Sequence, residues 1–457
     1  MLLALAPFLA NADAGIVALA LPDLQHDLSL SVTDVHWVTN IYVLLLGVLQ
    51  IPAGRFVDLL GARRLLLGSL AVFALATAAC GASPTGTTLI LARAVQAGAA
   101  ALLVPAAMAM VMTTVATPAE RTRALTLWAT IGGAGSVSGV LLGGLVVNHL
   151  HWRWAFYLNL PVIALALLCA LKLLPADDRR ARVGGVDVPG TLALVGTLFA
   201  LVHTLVNIPE RGWNQATYAG FTAALILSVL FVTIQAYSRQ PLLPSAVFRD
   251  HELVAGAVGV LFVSAATAPV VFIGSLYLQQ VLLFSPQAAG LALLPMVGAV
   301  LILGRTCRRL LNRYGPRVPY LLGCVLIAPG LLLLSGIAPG TGYLTDLLPG
   351  VVLTGAGLPF IWITCETTAL ASIPRKSMGI AAGIIQSAGL IGAAIGLAVA
   401  VTICTARARH TGGVDTHSAL PDTMMPIFLT ATVIMLPALA NALIGFRRLG
   451  TSSRRTA

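Results

Sequence analysis

The chain has 457 residues, of which 58% are hydrophobic and only 9% charged, with a formal net charge of +11. A mean hydropathy of +0.94 is more than a soluble globule can bury while still covering itself with polar groups, so a polytopic membrane protein is expected. The basic balance raises nucleic acid as a partner, but the cations sit in the loops of one side, so the surplus reads as a topology signal and no nucleic acid is expected.

Apolar windows of about 20 residues, the length that crosses a hydrocarbon core, recur along the whole chain. They lie near 2–21, 35–53, 65–82, 87–112, 123–147, 155–174, 189–206, 216–237, 253–278, 288–304, 319–337, 346–370, 379–403 and 425–446, fourteen in all. The first carries Asp13 in its middle and lacks the basic flank and A-x-A-like site of a signal peptide, so it is expected to be a span; the missing flank would place the start slightly upstream. With the N-terminus inside, every Lys and Arg except Arg93, Arg153, Arg211, Arg407 and Arg409 falls on the cytoplasmic side. That asymmetry predicts two cytoplasmic termini and an even number of spans.

After the second window comes GRFVDLLGARR, Gly54 to Arg64. Gly54 and Gly61 permit a sharp turn or a close backbone approach. Asp58 offers a carboxylate to helix N-terminal amides or to an arginine, and Arg63 and Arg64 read as a cytoplasmic anchor. A tight charged turn between two membrane helices is expected here. After the tenth window comes GRTCRRLLNRYGPR, Gly304 to Arg317, which repeats the pattern with Asn312 where an acid might stand. Internal repeats of this kind build many secondary transporters, with the substrate site between the halves.

Charges inside apolar helices are costly, about 2.5–3.5 kcal/mol for an acid on insertion scales. Asp13, Glu366 and Arg93 are therefore the proton-coupling candidates: each faces a wet cavity, pairs with an opposite charge or, for an acid, holds a proton. The bland alternatives are a polar contact between helices for Asp13 and Arg93 and an interfacial position for Glu366. Gly135, Gly139 and Gly143 recur every four residues in the fifth window, with Gly144 beside them, and Gly379, Gly383 and Ser387 do so in the thirteenth. Small residues at that spacing let membrane helices approach backbone to backbone. Gln96, Trp128, Tyr277, Gln280, Trp362 and Gln386 are candidates for a substrate cavity, though each alone is more often packing. Trp152, Trp154 and Tyr157 are spaced for an aromatic belt at the outer interface. The cysteines, Cys80, Cys169, Cys307, Cys324, Cys365 and Cys404, show no metal-ligand spacing and read as small core residues. There is no phosphate-binding GxxxxGK[ST] loop, HExxH or zinc spacing, so an ion gradient is the expected energy source.

These residues together resemble the major facilitator superfamily. Gly54, Asp58, Gly61, Arg63 and Arg64 fit its signature loop, with Leu59 in place of the arginine that usually follows the acid. LILARAVQAGAAALLVPAA in the fourth window is similar to its second motif, with Arg93 and Gln96 in place and Ala97 for the usual glycine. GAGSVSGVLLGG in the fifth is similar to the antiporter motif, with Val140 for the usual proline. Asp13 with ALALPDLQHDL, HWRWAFYLNLP (His151 to Pro161) and YLQQVLLFSPQAAGLALLP (Tyr277 to Pro295) resemble the fourteen-span drug:proton antiporter branch. The resemblance implies an all-α polytopic membrane protein with the major facilitator fold. Its parts would be a six-helix bundle over 1–174, a cytoplasmic linker over 175–188, two inserted helices over 189–238, a second six-helix bundle over 239–446 and a short basic tail over 447–457. The implied activity is export of drug-like or antibiotic-like small molecules in exchange for protons across a bacterial cytoplasmic membrane. The alternatives are a narrow metabolite or siderophore exporter, a uniporter, or a non-transporting sensor. No enzyme activity, cofactor or metal is expected. The expected partners are the substrate, protons and the lipid bilayer, and the expected state is monomeric.

Overall fold

The computed structural model describes residues 2–30, 32–115, 120, 123–125, 127–128, 130–135, 138–139, 143, 150–174, 187–238, 241–243, 249–337, 342–374, 377–410 and 416–445. Its principal helices are α1 (Leu5–Asp27), α2 (Val32–Leu60), α3 (Ala62–Ala82), α4 (Gly86–Thr114), α5 (Asn159–Leu173), α6 (Val188–Arg211), α7 (Gln215–Tyr237), α8 (His251–Gln280), α9 (Pro286–Tyr314), α10 (Arg317–Ser335), α11 (Leu348–Ser372), α12 (Met378–His410) and α13 (Thr416–Ile444). Among the described residues, 12 helices are long and apolar enough to cross a membrane, and Leu2–Val17 is a shorter apolar helix. The fifth expected window, 123–147, is described only in part, at 123–125, 127–128, 130–135, 138–139 and 143.

The helix ends follow local chemistry. Thr85 and Thr88 form a reciprocal capping box at the start of α4. Asp250 accepts from the amides of Glu252 and Leu253 to open α8, and Ser285 followed by Pro286 opens α9. Gly212 and Gly315, at φ 67° and 73°, end α6 and α9 in a conformation that L side chains rarely adopt.

The chain divides into two compact units. The first comprises Met1–Phe199, Ala224–Pro244 and Ile373–Ser387. Within it α4 packs on α2 and α3, α3 packs on α5, and α1 rests on α2 and α4. At one end of this unit, Trp152 is buried and donates its indole N–H to Asp27 Oδ2 at 2.9 Å. That corrects the expectation of an interfacial belt for Trp152; exposed Trp154 keeps that character. Arg153 donates to the carbonyls of Gly81 and Ser83, both at 2.9 Å, and lies over the Trp152 ring. The Trp152 hydrogen bond, helped by the charges of His151 and Arg153, holds the Asp27 carboxyl below its ordinary range despite some desolvation.

The second unit comprises Ala200–Ala223, Ser245–Ser372 and Ala388–Ala457. Here α11 is central, packing on α8, α9 and α10, with α13 against α8 and α10. α10 and α11 approach closely because glycines face each other: a Cβ on Gly323 would lie 2.9 Å from Gly357 O, and one on Gly330 would lie 3.0 Å from Gly350 O. Without a hydrophobic drive between helices in lipid, such close backbone packing supplies the cohesion.

Candidate functional site: a buried ion pair and a capped helix

Asp13 on α1 and Arg93 on α4 form a salt bridge with side chains 0% and 1% exposed. Arg93 lies on the buried face of α4, between Leu89 and Ala97, which are both fully buried. It cannot shed its proton in practice, so its five N–H donors must be met. Nη1 donates to Asp13 Oδ2 and, at 2.7 Å, to Gln96 Oε1. Nε donates to the Val38 carbonyl at 3.2 Å, and the guanidinium lies 4.2 Å from the Tyr42 ring centroid. Gln96, one turn from Arg93, donates to Asp13 Oδ1 at 2.8 Å and to Thr77 Oγ1 at 2.9 Å. Thr77 in turn donates to the Phe73 carbonyl at 2.6 Å, and the Cys80 thiol points at Gln96 Oε1 at 3.8 Å.

Asp13 thus receives an N–H on each carboxylate oxygen, from two side chains of one helix. The sequence reading placed Asp13 and Arg93 as candidates separately; the structure pairs them. Gln96, expected to face a cavity, is committed to the ion pair instead. Tyr42, Thr77 and Cys80 were not foreseen. Their one sequence signal is spacing: Thr77 and Cys80 share a face of α3 at i and i+3, and the polar Thr77 interrupts an apolar run.

The fifth-window glycines meet α1 beside this pair. A Cβ on Gly135 would stand 2.5 Å from Phe8 O, and one on Gly139 would stand 2.6 Å from Ala12 O, the residue before Asp13. Gly143 is buried, and Gly144 lies outside the described residues. α1 is therefore held from α4 by charge and from the fifth window by contact of backbones.

The second element is Gly54 to Arg64. The expected turn is shorter than the sequence suggests: α2 continues to Leu60, Gly61 at φ 100° makes the whole break, and α3 begins at Ala62. Asp58, still helical, accepts from the first amides of α12: Gly379 N–H to Oδ1 at 2.8 Å and Ile380 N–H to Oδ2 at 3.1 Å. Those amides have no partner within their own helix, and a carboxylate also suits the positive end of the helix dipole. Above this cap runs a seam of small residues. A Cβ on Gly54 would lie 2.1 Å from Gly379 O, one on Gly383 would lie 2.4 Å from Gln50 O, and Ser387 Oγ donates to Gly47 O at 3.2 Å. The expected stripe Gly379, Gly383, Ser387 therefore has α2 as its partner. Arg63 donates to Leu171 O at 3.0 Å, and Arg64 is exposed.

Glu366 is buried on α11, where an interfacial position had been the bland alternative. Trp362, one turn away, packs on Gly389, whose added Cβ would lie 2.9 Å from the indole. Tyr277 and Trp128 are buried, and Gln280, Trp362 and Gln386 are partly so. Trp128 and Gln386 belong to the first unit, with Gln96; Tyr277, Gln280 and Trp362 belong to the second. No group of three or more His, Cys, Asp or Glu side chains able to hold a metal ion occurs among the described residues.

Comparison with known proteins places this arrangement in a family. The model of the Major Facilitator Superfamily matches residues 3–397. The puromycin resistance protein pur8 of Streptomyces alboniger is 36% identical over 409 residues, covering 88% of this chain and 80% of its own length. The tetracenomycin C resistance and export protein of Streptomyces glaucescens is 33% identical over 398 residues, covering 86% of this chain and 73% of its own. The crystal structure of the human organic anion transporter MFSD10 superposes with a TM-score of 0.64 over 96% of this chain and 99% of that one, at 15% identity, a likeness of fold alone. The chain belongs to the major facilitator superfamily and is a multi-pass transporter of the bacterial cytoplasmic membrane.

Proposed function

We propose that this transporter exports an antibiotic-like small molecule in exchange for protons, by alternating access, with Asp13 as the proton carrier. The observation that carries the reading is the fully buried Asp13–Arg93–Gln96 network. A buried ion pair is weak evidence for stability, since desolvation offsets much of the attraction. Its value lies in what a proton does to it. Protonating Asp13 removes the charge that Arg93 answers and turns one carboxylate oxygen from acceptor to donor. The α1–α4 contact then has two arrangements, one for each occupancy, and proton binding selects between them. Gly135 and Gly139, against α1 on its other side, let the helix shift without side-chain interdigitation.

The second moving part is the α2–α12 seam. Alternating access requires it to part and re-form, and the Asp58 cap sets how firmly it closes. The direction and substrate class rest on the likeness to proteins of puromycin resistance and of tetracenomycin C resistance and export. The reading includes fourteen spans with both termini cytoplasmic, six-helix halves over 1–174 and 239–446, and a monomeric unit. Glu366 is the second carboxyl available to the cycle.

The test is accumulation by everted vesicles energised by respiration, across a panel of lipophilic dyes and antibiotics. Wild-type accumulation should collapse with a protonophore. Asp13→Asn should abolish it while leaving substrate counterflow, which needs no net proton movement. Uphill accumulation that survives Asp13→Asn would overturn the role of Asp13.

A further inference from the structure

α9 has 29 residues, about 43 Å at 1.5 Å per residue, against a hydrocarbon core of about 30 Å. About 13 Å of it, roughly two and a half turns, therefore extends beyond the acyl chains, and that end of the helix, from Arg305 on, holds Arg305, Arg308, Arg309 and Arg313. Arg305, Arg309 and Arg313 are exposed and recur every four residues, so they form one stripe along the helix. The face they occupy continues directly from Ile302, which is 75% exposed and in a bilayer meets acyl chains. Arg305 thus emerges where acyl chain gives way to headgroup. Tyr314 and Val318 are exposed at the far end, and Arg317 opens α10 beside them. Among the described residues no acid lies within ion-pair distance of these arginines; the one partner is the Tyr314 ring beneath Arg313.

We infer that this stripe is a binding site for the phosphate headgroup of an anionic phospholipid. The apolar surface above fixes the acyl end of the occupant and the arginines fix its head, so the ligand is amphiphilic and carries a phosphate. Guanidinium forks match phosphate oxygens in bidentate geometry. Three unneutralised cations on one lipid-facing stripe favour a net anionic headgroup over a zwitterionic one, whose own ammonium would be repelled. Each arginine near a charged membrane surface contributes a preference on the order of five-fold.

The experiment uses the full-length protein in phosphatidylcholine bilayers with trace spin-labelled phosphatidylglycerol or phosphatidylcholine. The ratio of the two association constants is read from the motionally restricted component of the spectrum. Wild type should prefer phosphatidylglycerol, and the preference should fall toward unity in about 1 M salt, where charges are screened beyond roughly 3 Å. Arg305→Gln/Arg309→Gln/Arg313→Gln should lose most of it, and the corresponding triple lysine variant should keep most of it. Inorganic phosphate at matched ionic strength should displace no more label than chloride does, which separates a lipid site from a free-phosphate site. Equal affinity of wild type for both probes, a salt-insensitive preference, or a glutamine triple with the wild-type ratio would each overturn the inference. Should the glutamine triple not fold, the salt arm on wild type and the lysine triple still decide it.

Discussion

Gly54–Arg64 and Gly304–Arg317 both open with Gly-Arg, both run as helix into a positive-φ glycine, Gly61 at 100° and Gly315 at 73°, and both hand the chain to a new helix. Asn312 stands three residues before Gly315, as Asp58 stands before Gly61. From that shared register they diverge. Asp58 is partly buried and caps the amides of Gly379 and Ile380. Asn312 is exposed, amid arginines without an acid partner among the described residues. The second segment is also one helical turn longer, and the extra turn brings Arg308 and Arg309. The carboxylate of the first segment closes on a helix terminus, while the second carries an amide at that register and leaves its arginine stripe exposed.

The largest expected effect breaks the first segment by sterics. Gly54→Val would drive Cβ to 2.1 Å from Gly379 O and 2.6 Å from its carbonyl carbon. Backbone cannot yield as a side-chain tip does, so a loss of about 1–3 kcal/mol or more is expected, read as a fall in Tm in detergent together with loss of vesicle transport. Gly68→Ala on α3, with nothing within 4 Å, should leave both unchanged. A Gly54→Val protein with wild-type Tm and transport would show that the α2–α12 approach is not close. Next in size is Asp58→Ala. It removes two charge-assisted caps and should cost about 0.5–2 kcal/mol, whereas Asn312→Ala should stay within about 0.5 kcal/mol. Equal losses for the two would erase the distinction.

Much of this was legible in sequence because membrane helices declare themselves by length and apolarity. The breaks at Gly61, Gly212 and Gly315 fell where glycine permits them. The ionisable residues of the first unit stood out because so few charges occur in spans. What stayed hidden was pairing. Nothing in the order of residues says that Asp13 meets Arg93 80 positions on, or that Asp58 reaches Gly379 321 positions on. The place of Gln96 in the network stayed hidden for the same reason: a polar residue in a span fits a cavity or a network equally well until its neighbours are known. Trp152 was read by its type, since Trp favours interfaces, and the Asp27 acceptor that lets it bury its N–H lies 125 positions away.

Asn312→Asp tests the comparison from the other side, by giving the second segment the acid of the first. The new carboxylate would lie at i+4 from Arg308 and i+3 from Arg309, spacings at which side chains meet on a helix surface. It would draw those guanidiniums inward and cut the net charge of the stripe. Preference for phosphatidylglycerol should fall on the order of five-fold, while Tm moves by no more than about 0.5 kcal/mol equivalent, since exposed intrahelical pairs contribute little. The same acid that caps a helix at position 58 would have no helix terminus to cap at 312, so stability should not rise as Asp58→Ala makes it fall. A matching rise in Tm would mean that a second helix end waits at Gly304–Arg317, and that the two segments differ by one side chain and not by what surrounds them.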